Sequence, residues 1–157
     1  MPFYFAYGSN MDERQMRDRC PHARFVAVAR LDSTRLCFPR YSEKRNGGIA
    51  SIEESPGDVV WGVIFEIPAD EIPCLDRSEG YQEGRPTHEN SYNPEKRNIP
   101  DVNGQLRPCL IYIANTDKPY KPSLECYLNY IIRGAEQHQQ QGIPHEYVEQ
   151  LWRIEAK

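Results

Sequence analysis

Two separated stretches of this chain hold residue types that could do chemistry together. Near the N-terminus an apolar run, Phe3-Tyr4-Phe5-Ala6-Tyr7, breaks into Gly8-Ser9-Asn10-Met11 and then into Asp12-Glu13. A strand ending in Gly8 can turn sharply, because Gly tolerates positive φ, and the N–H groups that follow lie uncovered at a helix start, where anions are favoured. Such a loop suits a carboxylate or a developing oxyanion. Far along the chain, Leu75-Asp76-Arg77-Ser78-Glu79-Gly80-Tyr81 sets one acid, Glu79, between a short helical pattern and a Gly. Together they suggest a donor loop facing a lone carboxylate.

Plainer roles compete for each of these residues. Glu79 has the usual fate of a Glu as its alternative, a solvated acid at a helix end. Tyr7 suits the core, as aromatics of a first strand usually do, and Asn10 suits capping the helix, which is compatible with touching a ligand at the same entrance. Ser9 lacks the Gly-x-Ser-x-Gly turn of a nucleophile elbow and has no evident base. Five cysteines, Cys20, Cys37, Cys74, Cys109 and Cys126, are widely spaced with no Cys-x-x-Cys pair, and read as reduced, mostly buried thiols. His22, His88, His138 and His145 show none of the close pairings that metal sites use, so neither a metal nor another cofactor is expected.

The elements that would position this chemistry follow from pattern. Phe3 to Tyr7 is unbroken apolar sequence, a first strand buried on both faces. The next helix has Asp12 as N-cap, Gln15 three residues on, Glu13 in its first turn and Pro21 as its stop. Phe25 to Leu31 and Arg35 to Phe38 read as strands around the polar turn Asp32-Ser33-Thr34. Gly47 to Ile52 and Val59 to Phe65 form the clearest strand pair, joined through Ser55-Pro56-Gly57-Asp58. Pro68 to Arg77 is a short helix that delivers Glu79. From Gln82 to Gln105 the chain turns polar, and Pro86, Pro94 and Pro100 argue for a long loop or edge instead of a central strand. Arg85 and Arg97 are cations of that stretch suited to a substrate carboxylate or to plain solvation. Cys109 to Ala114 restores a strand, with Pro108 limiting how early its ladder begins.

The last third is helical. Leu124, Tyr127, Leu128, Ile131, Ile132 and Ala135 make one apolar stripe after a Ser123 N-cap, ending by Gly142. A final helix from Pro144 turns Tyr147, Val148, Leu151 and Trp152 inward. Strands early and helices late give an α+β class, and 157 residues fit a single domain spanning 1-157.

Composition narrows the partners. The net charge is −4, and the 19 Lys and Arg are scattered among 23 acids, so nucleic acid has no footprint to bind. No apolar segment approaches the ~20 residues that span a bilayer, and the N-terminus has neither the basic start nor the apolar core of a signal peptide. A cytoplasmic protein acting without a membrane is the expectation. Monomer and homodimer are equally compatible with the sequence.

At this point the motifs resemble a known family. Phe5-Ala6-Tyr7-Gly8-Ser9-Asn10-Met11, the block from Gly47-Gly48-Ile49-Ala50-Ser51-Ile52 through Ser55-Pro56-Gly57-Asp58 to Trp61-Gly62-Val63, and Leu75 to Gly80 look like the γ-glutamylcyclotransferases, of AIG2-like fold. Gly134-Ala135 and Gly142-Ile143-Pro144-His145-Glu146-Tyr147 are similar as well, so the resemblance covers nearly the whole chain. It implies a mixed, mainly antiparallel β-barrel flanked by helices, with the first loop and Glu79 meeting in a cavity at the barrel mouth. It implies a small-molecule γ-glutamyl substrate whose α-amino group attacks its own γ-carbonyl, closing 5-oxoproline and expelling an amine, with Glu79 as proton shuttle and no cofactor. Tyr7, Gly8, Ser9 and Asn10 would bind the substrate. The stretch after Glu79 departs from the animal members, in which a Tyr follows the Glu more closely. Here that spacing holds Arg85-Pro86, and Tyr92 resembles a shifted equivalent. Tyr127 matches a further family Tyr, although its place in the apolar stripe also fits a core role. A non-catalytic binding protein of the same fold, or removal of a γ-glutamyl protecting group in a biosynthetic pathway, are the alternatives.

Overall fold

Phe3–Ala6 forms β1, the middle strand of a five-stranded sheet ordered β2-β3-β1-β5-β4. The computed structural model describes residues 1–157. β1 pairs antiparallel with β3 (Gly47–Glu66) and parallel with β5 (Leu106–Ala114). That central place explains its unbroken apolarity, since Tyr4, Phe5 and Ala6 are all buried. The remaining pairs, β2 (Arg24–Ser42) with β3 and β4 (Tyr92–Pro100) with β5, are antiparallel, so the sheet is mixed and mainly antiparallel as expected. It is not a closed barrel. The outer strands meet only through a bridge between Ala29 and Asp101, beside which Val102 donates its N–H to Val28 O at 2.9 Å.

Two stretches expected as a strand pair prove to be one strand. Gly47 to Ile52 and Val59 to Phe65 are the two ends of β3, and both pair with β2, not with each other. Asp32 faces Val59 and Thr34 faces Glu54, so residues 55–58 oppose Ser33 alone. The Pro-Gly-Asp chemistry, with Gly57 at φ 86 and Ser55 Oγ donating to Asp58 Oδ2 at 2.5 Å, makes a bulge in a continuing strand instead of a reversal. Ser33, at φ 52, absorbs the same irregularity on β2, so the turn expected there does not separate two strands.

The polar stretch after Glu79 is less irregular than its prolines suggest. Tyr92–Pro100 is a regular strand, but at the edge of the sheet, where Pro94 and Pro100 are tolerated. Pro108 lies inside β5, opposite Asn98.

The helices follow their signals closely. In α1 (Glu13–Arg19), Asp12 Oδ1 accepts from Gln15 N at 3.0 Å. α2 (Ile72–Ser78) follows a short 3-10 turn. Ser123 Oγ accepts from Cys126 N, the first turn after it is π-helical (Leu124–Leu128), and α3 (Asn129–Gln137) continues from it. α4 is His145–Trp152. Two expected core members face out: Leu124 at the start of its helix is 38% exposed, and Trp152 at the end of α4 is 55% exposed. Each sits at a helix terminus, beyond the reach of the 32-residue core that takes up Tyr127, Leu128, Tyr147 and Leu151. Of the cysteines, only Cys20 and Cys109 are fully buried, while Cys74 is exposed. No helix is long and apolar enough to cross a membrane.

Candidate active site

β1 carries Tyr4 and Tyr7 to the edge of a cavity of about 160 Å³ and then yields to a 3-10 turn, Ser9–Met11. Gly8 makes this exit at φ −108, so the positive φ expected there is not used. What its missing side chain provides is space, because a Cβ at Gly8 would stand 3.6 Å from the Tyr127 hydroxyl. The N–H groups of Ser9 and Asn10 have no protein acceptor, as the opening of a helical turn dictates. Behind the turn, Gly134 of α3 lies so close that a Cβ would come within 2.5 Å of the Met11 and Asp12 backbone. Asp12, fully buried, is paired with Arg133 of α3. The loop is thus fixed to a helix that arrives from the far end of the chain.

The side chains of the loop are held by α1. Gln15 Nε2 donates to Ser9 Oγ at 2.7 Å and to Asn10 Oδ1 at 2.9 Å, and Arg19 Nη1 donates to the same Asn10 oxygen at 2.8 Å. Ser9 therefore has an amide and no base beside it, which disfavours a nucleophilic serine. With its oxygen engaged twice, Asn10 turns its Nδ2 to Tyr4 OH at 3.0 Å and to Glu79 Oε1 at 3.3 Å.

α2 delivers Glu79 from the opposite side. Glu79 caps that helix with its N–H on Leu75 O and Asp76 O, and Gly80, at φ 68, turns the chain away where only a residue without a side chain does so freely. The carboxyl has Tyr4 OH at 3.5 Å as a second donor. Protein surrounds it closely while part of its surface stays open to the cavity. Burial pushes its pKa up to about 7, against the pull of Arg19, the Tyr4 hydrogen bond and Arg45, and Asp76 adds a smaller push upward. A carboxyl poised near neutrality can both take and return a proton.

Three tyrosines shape the walls. Tyr92 OH donates to Ala50 O at 2.5 Å and Tyr127 OH accepts from Ala50 N at 2.9 Å, so both edges of that residue on β3 are clamped by hydroxyls. Tyr7 OH donates to Tyr112 O at 2.6 Å, and Tyr112 OH donates to Asp76 Oδ1 at 2.5 Å, which ties β5 to α2. Burial raises the pKa of all four phenols, first among the causes, so each remains a neutral donor.

Tyr7, Gly8, Ser9, Asn10, Glu79, Tyr92 and Tyr127 all line this one cavity. Tyr127 is core and wall at once, being 5% exposed. The loop cations are elsewhere: Arg85 braces Asn90 Oδ1 and Gly80 O, and Arg97 pairs with Glu95 on the surface. Sequence reasoning passed over Tyr4, Arg19, Ser42, Lys44, Arg45 and Tyr112, which also line the cavity. For Tyr4 the signal was present, since the period of a strand turns residues two apart to one face. For Arg19 and Arg45 it was absent, because nothing local distinguishes them from solvated surface charge.

A mixed sheet with a lone near-neutral carboxyl facing a strand-to-helix loop defines a small-molecule site of acid/base type. The chain belongs to the AIG2-like family, which residues 59–151 match. It is 36% identical over 156 residues to the gamma-glutamylcyclotransferase of Mus musculus, covering 97% of this chain and 78% of the mouse protein, and 35% identical to that of Homo sapiens over the same shares. A solved gamma-glutamyl cyclotransferase superposes with a TM-score of 0.86 at 32% identity, over 99% of this chain and 89% of that one. YkqA from Bacillus subtilis shares the fold at a TM-score of 0.74 and 24% identity, over 97% of this chain and 53% of that one.

Proposed function

We propose that this chain is a γ-glutamylcyclotransferase, a cofactor-independent enzyme of small γ-glutamyl amides in the cytosol. Residues 1–157 would act as one domain. The observation that carries the reading is Glu79, raised to about 7 by burial and bonded to Asn10 of the loop whose free N–H groups open the same cavity.

In the reaction, the α-amino nitrogen of the glutamyl group attacks its own γ-carbonyl carbon. Glu79 accepts the proton that this nitrogen sheds, and the carbonyl oxygen becomes an oxyanion. The N–H groups of Ser9 and Asn10 are the donors suited to it, and losing one such donor typically costs about 3 kcal/mol of transition-state stabilisation. The tetrahedral centre then collapses, the amide C–N bond breaks, and Glu79 returns the proton to the departing nitrogen. One amide is broken and one formed, so water is not consumed. The attack is intramolecular, and the enzyme's main task is to hold the glutamyl chain in its ring-closing conformer. Tyr7, Tyr92 and Tyr127 would form the walls that impose it.

The test is release of 5-oxoproline from a panel of γ-glutamyl amino acids and γ-glutamyl amines by the purified protein. Release from any of them supports the reading. Absence of 5-oxoproline across the panel, from a protein shown to be folded, would leave a non-catalytic binding role in its place.

A further inference from the structure

The cavity holds more positive charge than its own chemistry uses. Arg19, Lys44 and Arg45 line it together with a single acid, Glu79. Twelve ion pairs form in the molecule, and none includes any of these three cations. Arg19 is committed to the loop through Asn10 Oδ1. Arg45 is placed differently. It comes from the turn between β2 and β3, where its N–H donates to Ser42 Oγ at 3.1 Å and Asn46, at φ 55, closes the reversal.

Neutral groups alone hold the Arg45 guanidinium. Its Nη2 donates to Gln15 Oε1 at 2.7 Å, its Nη1 to Cys126 O at 3.3 Å, and its centre lies 5.3 Å from the Tyr127 ring and 5.2 Å from the Tyr130 ring. A guanidinium has five donors, so two engaged N–H groups leave three, with the charge uncompensated. Its orientation is fixed at both ends by α1 and by the π-helical turn, which removes the entropy that a free side chain would lose on binding an anion.

Resting on the cyclotransferase reading, we infer that Arg45 is a specificity-determining residue that receives the carboxylate of the departing amine, so that the favoured leaving group is an α-amino acid and not a neutral amine. The distance relation is chemical. Glu79 must reach the leaving nitrogen to protonate it, and in an α-amino acid the carboxylate carbon is only two bonds, roughly 2.5 Å, from that nitrogen. An anion reader for the leaving group must therefore be a close neighbour of Glu79. Arg45 meets this condition, since its charge acts on the Glu79 carboxyl within the shared cavity. The glutamyl carboxylate remains with Arg19 and the loop, and exposed Lys44 adds long-range attraction at the rim.

Two substrates of nearly equal shape test this, γ-glutamyl-alanine and γ-glutamyl-alaninamide, which differ in the charge of the leaving group alone. Specificity constants are measured from 5-oxoproline release for the native chain, Arg45→Gln and Arg45→Lys. The native protein is expected to favour the carboxylate by at least about tenfold, and Arg45→Gln to bring the two substrates within about threefold. Arg45→Lys keeps the charge and should retain part of the preference. A merely structural role of Arg45 would lower both substrates by the same factor and leave the ratio unmoved, and that result overturns the assignment. Equal constants in the native chain overturn it too. If neither compound yields 5-oxoproline, the cyclotransferase reading itself has failed.

Discussion

Asn10 Nδ2 stands 3.3 Å from Glu79 Oε1, joining the loop after the first strand to an acid 69 residues further on. The bond fixes which way the amide faces, because Gln15 and Arg19 already hold its oxygen. It also supplies a donor to the ionised carboxylate, opposing the burial that favours the protonated form. The balance of these two effects is what sets Glu79 near neutrality.

Glu79→Gln is expected to abolish 5-oxoproline release while the protein stays folded, because it keeps the shape and removes the proton acceptor. Activity within tenfold of the native chain would refute the shuttle. In the native chain kcat/KM should rise as pH climbs and level off above about 7, where Glu79 has lost its proton. A flat profile between pH 5 and 8 contradicts this.

The same substitution should be stabilising at high pH. The Glu79 pKa is raised in the folded state from its ordinary 4.5 to about 7, so the folded form holds the proton more tightly. The stability this brings is complete below pH 4.5 and is lost as pH rises toward 7. Glu79→Gln carries no such titration. Its thermal midpoint relative to the native chain should therefore increase between pH 4.5 and 7, as scanning calorimetry across that window would reveal. A difference that stays constant with pH would mean that Glu79 is not held in a protonation-favouring site.

Tyr92→Phe removes the donor to a buried carbonyl, Ala50 O, and leaves that acceptor without its partner. The expected loss is about 1–3 kcal/mol of stability, with the unpaired carbonyl as its cause. Urea unfolding of the variant checks it. A loss below about 0.5 kcal/mol would show that water replaces the hydroxyl, and that Tyr92 is free to serve the ligand instead of the wall.

Much of this site was legible because its signals are local. The Asp12 cap, the Gly8 exit from β1 and the placing of Glu79 before Gly80 each depend on neighbours in sequence, and each formed. The strand plan was less legible. Pro-Gly-Asp chemistry is the same in a reversal and in a bulge, and only the long pairing of β2 with β3 decides for the bulge. Arg19 and Arg45 were silent for a related reason, since a cation's role depends on which elements converge around it. The edge strand from Tyr92 was hidden by prolines that an edge tolerates and a central strand does not.

Asn10→Asp is the sharpest probe of the relationship between the loop and the acid. It replaces a neutral amide 3.3 Å from Glu79 Oε1 with a second carboxylate, nearly isosteric, that Arg19 and Gln15 can still hold. Two carboxylates at that distance resist simultaneous ionisation, so the pair must keep one proton to a higher pH than Glu79 alone does. The rising limb of kcat/KM should move upward from about 7, by roughly one unit or more, while activity well above the new limb partly recovers. Measuring the profile from pH 5 to 10 for the variant and the native chain decides it. A limb that stays in place, or moves to lower pH, would separate Asn10 from the titration of Glu79 and remove the loop from control of the proton.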